Sequence, residues 1–591
     1  MMRRDSHLIL NTLHWLARLP FLAVDDLALL TGQPTPDVEG VLREMRQAGL
    51  VDMVAPSSPE LDSAPLHVLT EPTRHWLRST LSTEVVRTLP LAWRDMIHGL
   101  ARLEATVAFN TFAAGLVASL RRSPEREVAD FRGLPVRRPQ DAWWPSGVQG
   151  YGCIRSASGA APFFVMVDRA GTPAAHRAAL IAGWYRFRDG SQRWGNDIPP
   201  ILILCPGPAR EDEWARAVLT SAEWRDTVPL RVLTGGVTAA PGERTWRRAD
   251  GTSRAALMEW LPVWHAEHLG LPLAPLPDLL PPAPSEERVP LHRWTREVAC
   301  GARTATTMEH AAAVALTTSL FEKELIECLA RHPLLSEAEL VAVLHRNHGL
   351  VRRAVERATD QGLVVHIDRL RDASQRYCLG PTGLRLLAAR DGVPVRRYAR
   401  HVPVTVFPAN DGERVPTLLQ QYEHTVGANS FFVAWLDCPA GGPRLFSWLS
   451  AAEAAVRFES GGRRRWLRPD GAGTLGIGDE RFPFLLEWDR GTERVPVLTG
   501  KLTRYAEYDQ ACRTNGAITP TLLFVTTTPQ REQLLWQVAQ RELRDFTTCL
   551  RTTTASLFER LGPLNAVWLE GCQRQRTAWP KHTTVTTTTW N

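Results

Sequence analysis

A short stretch in the last third of the chain, Phe484–Tyr508, holds residue types that bind divalent cations and phosphates. Glu487 and Asp489 follow an apolar run and stand two positions apart. Residues at i and i+2 of a strand project to the same face, so the two carboxylates are expected to repel each other unless a cation lies between them. Asp470 precedes them in a turn-like Arg-Pro-Asp-Gly context, and Lys501 follows on a predicted helix. This set predicts a hard-metal site for phosphodiester cleavage.

Each of these four residues has a predicted role. Asp470 and Glu487 are expected to hold Mg²⁺ or Mn²⁺, with Asp489 binding the ion directly or through water. Lys501 is expected to steady the nucleophile or the leaving oxygen. The alternative is that Glu487 and Asp489 end a strand at the surface and pair with nearby basic side chains. The sequence leaves both interpretations open, and with them the question of whether the chain is a Mg-dependent DNA endonuclease.

A basic loop lies directly before Asp470 and contains Arg463, Arg464 and Arg465, followed by Trp466. Arginines beside the acids are suited to clamp a phosphate, and a tryptophan can stack on an unpaired base. The alternative is a solvated hairpin tip.

Composition limits the class of protein. A chain of 591 residues with 44% apolar and 22% charged residues is typical of a soluble protein of several domains. Net charge +6 permits an anionic partner. Nine cysteines without a C-x-x-C pattern argue against a disulfide framework or a zinc site. No phosphate-binding glycine loop and no apolar run of ~18 residues is present, so we expect a cytoplasmic protein without nucleotide or membrane binding.

The elements that must position the site occur twice along the chain. Three helical patterns followed by a strand-loop-strand predict a winged helix, and the same order returns at 322–387, offset by 313 residues. Further along, Phe163–Arg169 matches Phe484–Arg490 at an offset of 321. A tandem duplication is therefore predicted. The three N-terminal helices are expected at 7–18, 23–31 and 36–48.

The predicted fold class is α/β (α+β), with two tandem units that are each a winged helix-turn-helix followed by a mixed-sheet α/β domain. A proline-rich stretch joins the units, and the threonine-rich end of the chain is expected to be disordered. The predicted domains are a degenerate winged helix at 1–90, an inactive α/β copy at 91–268, a linker at 269–319, a DNA-binding winged helix at 320–400, an α/β domain with the acids at 401–572, and a tail at 573–591.

The two copies differ at the site. Ser146 is expected where the second copy has Asp470, and Met166 where it has Glu487, while Ile181 falls near the Lys501 position. Only Asp168 keeps an acid in the first copy. One carboxylate is too few for a divalent site, so the first α/β domain is predicted to be metal-free.

The two winged helices also differ in charge. The stretch 346–401 has twelve arginines against five acids, whereas 33–88 has five against eight. Only the second can approach phosphates favourably, so DNA binding is assigned to it. The alternative is a packing or dimerisation module. The DNA-contacting candidates are Arg346, Arg352, Arg353 and Arg357 on or near helix three, and Arg369, Arg371 and Arg376 in the wing.

With these motifs in place, residues from about 320 to 570 resemble the replication-relaxation family of plasmids and other mobile elements. The α/β part is similar to restriction-endonuclease-like folds, whose pattern is Pro-Asp followed by acid-x-Lys. The lysine position of that pattern is Asp489 here, so Lys501 would supply the ammonium group. The resemblance implies DNA binding in plasmid replication or transfer, with other replication or transfer proteins as partners. A DNA-binding regulator without catalysis and an assembly scaffold are the alternatives, and the oligomeric state stays open.

Overall fold

The chain folds into two compact units in a computed structural model. They comprise Met1–Lys323 with Leu384–Arg397, and Glu324–Gly383 with Tyr398–Asn591. The structure describes residues 6–580 except 59, 62–63, 124, 170–173, 192, 195–196, 237–242, 265–275, 283–288, 368–373, 394, 396–417, 437, 439–441, 543–549 and 571–574.

The first unit begins with three helices and a small antiparallel sheet, in the order that the sequence predicts. Ile9, Leu13, Leu27 and Val41 are fully buried and form the centre of this layer. The sheet order is β1-β3-β2. The elements are α1 (Ser6–Arg18), β1 (Leu22–Ala23), α2 (Val24–Thr31), α3 (Thr35–Gln47), β2 (Val51–Val54), β3 (Leu66–Leu69), α4 (Glu71–Thr80) and α5 (Thr83–Val86).

A seven-stranded mixed sheet follows in the first unit. Three strands run antiparallel, the next two join them in parallel, and two short strands close the edge. The elements are α6 (Trp93–Ala101), α7 (Leu103–Leu120), β4 (Arg126–Gly133), β5 (Gly150–Ser156), β6 (Gly159–Val167), α8 (Ala174–Gly190), β7 (Ile201–Cys205), α9 (Pro208–Arg225), β8 (Val232–Gly236), β9 (Trp246–Arg248), β10 (Arg254–Ala255) and α10 (Leu257–Trp260).

Helix α7 is the one described helix with the length and hydropathy of a membrane span, and 61% of it is buried inside the structure. Phe109 and Phe112 of α7 contact Phe131 of β4, so the apolar surface of the helix packs on the sheet. This burial explains its hydropathy as that of a core helix.

The predicted linker at 269–319 is wrong over its second half, which contains two helices, α11 (Leu291–Ala299) and α12 (Thr307–Thr317). Trp294 of α11 packs edge-on against Trp93 with ring centroids 5.1 Å apart. The indole N–H of Trp93 donates to Glu309 of α12 at 2.6 Å. Amphipathic helices after the prolines thus bury their apolar faces within the first unit.

The second unit repeats the order of helices and strands. Ser336 and Glu339 form a capping box at the start of α14, and the Asn347 side chain caps α15, which fixes where both helices begin. The small sheet has the order β11-β13-β12. The elements are α13 (Leu320–Arg331), β11 (Leu335–Ser336), α14 (Glu337–Leu344), α15 (His348–Asp360), β12 (Val364–Ile367), β13 (Arg376–Leu379) and α16 (Pro381–Asp391). The first four residues of α13 and the last part of α16 are grouped with the first unit.

A six-stranded mixed sheet completes the second unit, in the order β14-β17-β18-β19-β20-β21, with a separate two-stranded hairpin β15–β16. Strands β14, β17 and β18 are antiparallel, and β19 and β20 continue in parallel. The elements are α17 (Tyr422–Leu436), β14 (Arg444–Ser450), β15 (Val456–Ser460), β16 (Arg463–Leu467), β17 (Gly471–Ile477), β18 (Glu480–Asp489), α18 (Val495–Thr514), β19 (Thr521–Thr526), α19 (Pro529–Glu542), β20 (Leu550–Thr554), α20 (Ala555–Leu561) and β21 (Leu569–Glu570).

The fold class is therefore mixed α/β, as predicted. The predicted disordered tail is wrong for residues 575–580. Thr577 bridges to Trp568, and Trp579 is buried against Trp568 and Phe484. Burial of the Trp579 indole in an aromatic cluster stabilises the folded conformation of this segment, although its composition is polar. Residues 573, 574 and 581–591 lie outside the described part of the chain.

Candidate functional site

Glu487 is the centre of the predicted site and lies near the end of β18. Its side chain is fully buried, and the Lys501 Nζ atom lies 2.5 Å from its Oε2 atom. The Tyr505 hydroxyl donates to the Oε1 atom. Lys501 and Tyr505 stand at i and i+4 on α18, so one face of this helix supplies both partners. The helix thus neutralises a carboxylate that the strand buries.

Asp470 lies beside this pair, immediately before β17. Its backbone N–H donates to the Leu486 carbonyl at 2.9 Å, and its Oδ2 atom accepts from the Trp488 backbone N–H at 2.8 Å. The His424 Nε2 atom of α17 lies 3.0 Å from the same oxygen. Gly427 permits this approach, because a Cβ there would lie 2.2 Å from the Trp488 ring. Strand pairing and helix packing therefore hold Asp470 next to Glu487.

The ionisation of these groups is coupled. Burial raises the pKa of Glu487 well above its ordinary value, and the charge of Asp470 adds to this. Burial opposes the charge on Lys501, but Glu487 and Asp470 outweigh it and raise the pKa of the lysine. Burial also opposes ionisation of Asp470, yet the hydrogen bond from His424 leads the effects that lower its pKa. Glu487 and Lys501 thus hold their protons more tightly than free side chains would, whereas Asp470 releases its proton more readily.

Asp489, the third predicted metal ligand, is engaged elsewhere. Arg531 of α19 binds both of its carboxylate oxygens, at 2.5 Å and 3.3 Å, and the Gly491 N–H donates to it at 2.9 Å. Asp168 and Arg210 form the same two-point pair in the first unit. Because a guanidinium already occupies the carboxylate, Asp489 is corrected from a metal ligand to a residue that ties strand β18 to helix α19.

The ladder register relates the two sheets position by position. Gly150 and Gly471 each begin the second strand of their sheet and pair with the third strand at positions 321 residues apart. Gln149 therefore stands where Asp470 stands, and the prediction that Ser146 does so was wrong. The Gln149 side chain accepts from the third-strand backbone at 3.3 Å, as the carboxylate of Asp470 does. The sequence alignment was based on the proline before Ser146 and the proline before Asp470. The pairing of the strands instead aligns Gln149 with Asp470.

The residues of the first unit that lie 321 positions before Glu487, Lys501 and Tyr505 carry no charge. The helix α8 that follows β6 carries Leu180 one position before the predicted Ile181. Glu487, Lys501 and Tyr505 correspond to Met166, Leu180 and Trp184.

A cavity of about 350 Å³ opens over Glu487, and four cations border it against that one carboxylate. Lys501, Arg504 and Tyr505 of α18 line it, and Arg504 comes from the exposed side of this helix. The other lining residues belong to the hairpin and the turn after it: Arg465, Trp466, Leu467 and Arg468. Positive charge around a buried carboxylate is suited to receive an anion.

The predicted basic loop is the hairpin β15–β16 itself. Arg463 is exposed next to the tip, and Arg465 pairs with Glu507 of α18 at 3.2 Å while bordering the cavity. Arg464 lies on the same strand, but its side chain is outside the described part. The structure thus brings Arg465 to the acids.

The arginines assigned to the second small domain separate into three groups. Arg352, Arg353 and Arg357 are exposed on one helix, α15, and Arg346 lies in the turn before it, 3.5 Å from Glu324. Arg369 and Arg371 lie outside the described residues.

Arg376 is a correction to the DNA-binding set, because it is buried. It forms an ion pair with Glu339 and donates to the Leu334 carbonyl at 3.1 Å. A guanidinium used in this way stabilises the small sheet and cannot reach a phosphate.

The donor set can be tested against a divalent metal. Among the described residues, no three His, Cys, Asp or Glu side chains gather into a metal-binding group. Mg²⁺, however, commonly takes one or two carboxylates and completes its shell with water and substrate phosphate oxygens. Asp470 and Glu487 fit that mode, with the ion held jointly with a phosphate.

Residues 326–521 match the family described as Replication-relaxation. The match covers about a third of the chain and includes α15, the hairpin, Asp470, Glu487 and Lys501. It supports the replication and mobile-element theme for this part of the chain, and implies involvement with DNA and the replication machinery. No curated protein and no solved structure matches the chain.

Sequence reasoning missed several residues of the site. Tyr505 and His424 were not among the predicted site residues. A signal for His424 was present, because the corresponding position of the first copy is Ala105 within an otherwise similar helix. Arg531 was also missed, although Arg210 precedes it by the same 321 residues that separate Asp168 from Asp489.

Proposed function

We propose that this protein binds DNA of a plasmid or other mobile element through its second winged helix and presents a nuclease-like domain to it. The observation that carries this proposal is the convergence of Asp470 and Lys501 on buried Glu487 beneath an arginine-lined cavity. In that arrangement a phosphodiester is the substrate that matches both the charge and the acid–lysine chemistry.

The domain assignments rest on the order of elements. In both units a helix, three antiparallel strands, a helix and a parallel strand follow one another, which is the order expected of restriction-endonuclease-like folds. Asn110 donates to the Pro20 carbonyl at 2.8 Å, and Asn429 donates to the Pro333 carbonyl at 2.7 Å. These matched contacts support a tandem duplication whose first copy has lost its site.

The chain's own residues suggest how a phosphodiester would be handled. Arg465, Arg468 and Arg504 would bind the phosphate oxygens and draw the backbone into the cavity. Lys501 would then exchange its contact with Glu487 for one with the phosphate, and stabilise charge on the leaving oxygen. Tyr505 would keep the freed carboxylate of Glu487 oriented by its hydrogen bond.

A divalent cation would be held by Asp470 and Glu487. When bound with DNA, such an ion supplies an acidified water and compensates charge on the phosphate. His424 and the Trp488 backbone N–H would orient the Asp470 carboxylate for this task.

A second candidate function is DNA binding without cleavage. Every described acid of the site has a protein partner: Glu487 has Lys501 and Tyr505, and Asp470 has His424. A network that is satisfied in this way is also what a docking platform would need. The protein would then be a replication or transcription regulator.

Incubation of the full-length protein with supercoiled plasmid in Mg²⁺, Mn²⁺ or EDTA separates the two candidates. We expect nicked or linear products with metal and none with EDTA. Asp470→Asn and Glu487→Gln should each lower the nicking rate by at least about 100-fold, since each removes a carboxylate that would hold the catalytic ion. Duplex affinity should stay within about threefold, because the winged helix is unchanged.

The matched control is Asp479→Asn, which removes an exposed carboxylate from the turn between β17 and β18. This variant should nick like the wild type. Plasmid that remains supercoiled with either metal, while DNA still binds, would replace the nuclease by the regulator. Absence of DNA binding would refute both.

A further inference from the structure

The hairpin β15–β16 distinguishes the second unit from the first. It forms a sheet of its own between β14 and β17. In the first unit the corresponding residues 134–149 contain no strand, and their two tryptophans, Trp143 and Trp144, are buried. The second unit therefore has an element at its site that the first lacks.

One face of the hairpin anchors it to α18. Phe458 packs edge-on against Tyr508 with ring centroids 5.4 Å apart, and Leu467 is buried in the same core. Arg465, directly across the hairpin from Phe458, pairs with Glu507 of α18. These contacts hold the hairpin on the helix that carries Lys501.

The other face presents an aromatic side chain. Trp466 alternates with Arg465 along β16, so it points away from the anchored face. It is 43% exposed and borders the cavity above Glu487, with the Arg468 guanidinium 5.7 Å from its ring centroid. The tip of the hairpin, Gly461-Gly462, has φ values of +57° and +70°, which suit a tight two-residue turn.

An exposed indole flanked by arginines at the mouth of a phosphate-sized cavity has the features of a single-strand binding platform. Every nucleobase has a flat face that can stack on an aromatic ring, while arginines hold the adjacent phosphates. Bases within a duplex are already stacked on each other and do not offer that face. Duplex DNA would therefore contact only the arginines.

We propose that Trp466 stacks on an unpaired base and thereby selects DNA with a single-stranded segment, such as a flap or gap, as the substrate of this site. This inference rests on the proposed function, because it names the substrate class for the same cavity. The base lies on Trp466, the next phosphate meets Arg465 and Arg468, and the following linkage lies over Glu487.

The test measures affinity of the full-length protein for labelled oligonucleotides by fluorescence anisotropy: a duplex, and the same duplex carrying a flap. Wild type should bind the flap more tightly. Trp466→Ala should reduce that preference by roughly 5- to 150-fold, the range for one stacked base, and leave duplex affinity unchanged. Trp466→Phe should keep most of the preference, which separates loss of stacking from damage to the hairpin.

A second readout uses 2-aminopurine at the first unpaired position, whose fluorescence is quenched on stacking. Quenching should occur with wild type and disappear with Trp466→Ala. Trp224→Ala is the matched control, because it removes an exposed tryptophan on α9 of the first unit. This control should change neither readout.

The outcomes are distinguishable. Equal affinity of wild type for flap and duplex, or a preference that survives in Trp466→Ala, overturns this inference and leaves the proposed function standing. Tighter binding of an RNA of the same sequence also overturns it. A wild type that binds no DNA refutes the proposed function, and this inference falls with it.

Discussion

At the scale of single residues, the site depends on one buried carboxylate and the lysine that pairs with it. Glu487 is fully buried and Lys501 contacts it at 2.5 Å. Removing one partner of such a pair leaves an uncompensated charge, which typically costs about 3–5 kcal/mol. The pair therefore has a structural effect that can be measured apart from catalysis.

Lys501→Met should lower the free energy of unfolding by about 3 kcal/mol at pH 8 and by much less at pH 5. The sign follows from the raised pKa of Glu487: the folded carboxyl keeps its proton above the ordinary value of 4.5, so stability is lost as the pH rises through the folded pKa. Without the lysine the pKa of Glu487 rises further, and the loss grows with pH.

Urea unfolding at both pH values measures this effect. The double variant Lys501→Met with Glu487→Gln is the control, since the amide at position 487 does not titrate and the additional pH dependence should be lost. If Lys501→Met lowered the free energy of unfolding equally at pH 5 and pH 8, Glu487 would not be the group responsible.

At the scale of elements, matched ion pairs join the end of the third strand to the helix after the parallel strand in both α/β domains. Asp489 binds Arg531, and Asp168 binds Arg210. Strand β18 is therefore joined to α19 through Asp489 and to α18 through Glu487. Asp489 thus fixes the strand to a helix, whereas Glu487 lines the cavity.

Asp489→Ala should destabilise the protein by about 3 kcal/mol, because Arg531 would be left buried without its partner. Divalent metal should not restore the loss, since the residue is not a ligand. Calorimetry with and without Mg²⁺ measures both effects. Arg531→Met offers the matched change from the helix side, and its effect should not add to that of Asp489→Ala. Full additivity of the two would contradict the pairing.

At the scale of the whole molecule, the corresponding helices of the two units differ in charge. Helix α15 has three arginines against two acids, whereas α3 has two arginines against three acids. The second small domain also packs onto its own α/β domain, where His332 stacks on Trp448 at 3.7 Å. A duplex bound by α15 would therefore be held by the unit that carries the site.

Changing Arg352 and Arg353 to Ala should weaken duplex binding and lower the slope of affinity against salt concentration by about one unit for each lost phosphate contact. The matched change of Arg43 and Arg46 on α3 should leave the slope unaltered. Anisotropy titrations at several salt concentrations measure both. Equal losses from the two pairs would show that charge does not decide which helix meets DNA.

The sequence by itself determined the order of elements and where acids and cations were available. Hydrophobic periodicity and the 313- to 321-residue repeat located the helices and the strand bearing Glu487, because local pattern dictates local structure. The charge difference between the two small domains is also a property of sequence alone. These features do not depend on how distant segments pack.

Only the tertiary structure decided what each acid and arginine does. Asp489 and Glu487 look equivalent along the strand, yet Asp489 pairs with Arg531 of α19 and Glu487 with Lys501 of α18. Arg376 is buried against Glu339, although composition placed it in a basic wing. The partners of a charge lie far away in sequence, and its role follows from burial and contact, which a linear pattern does not encode.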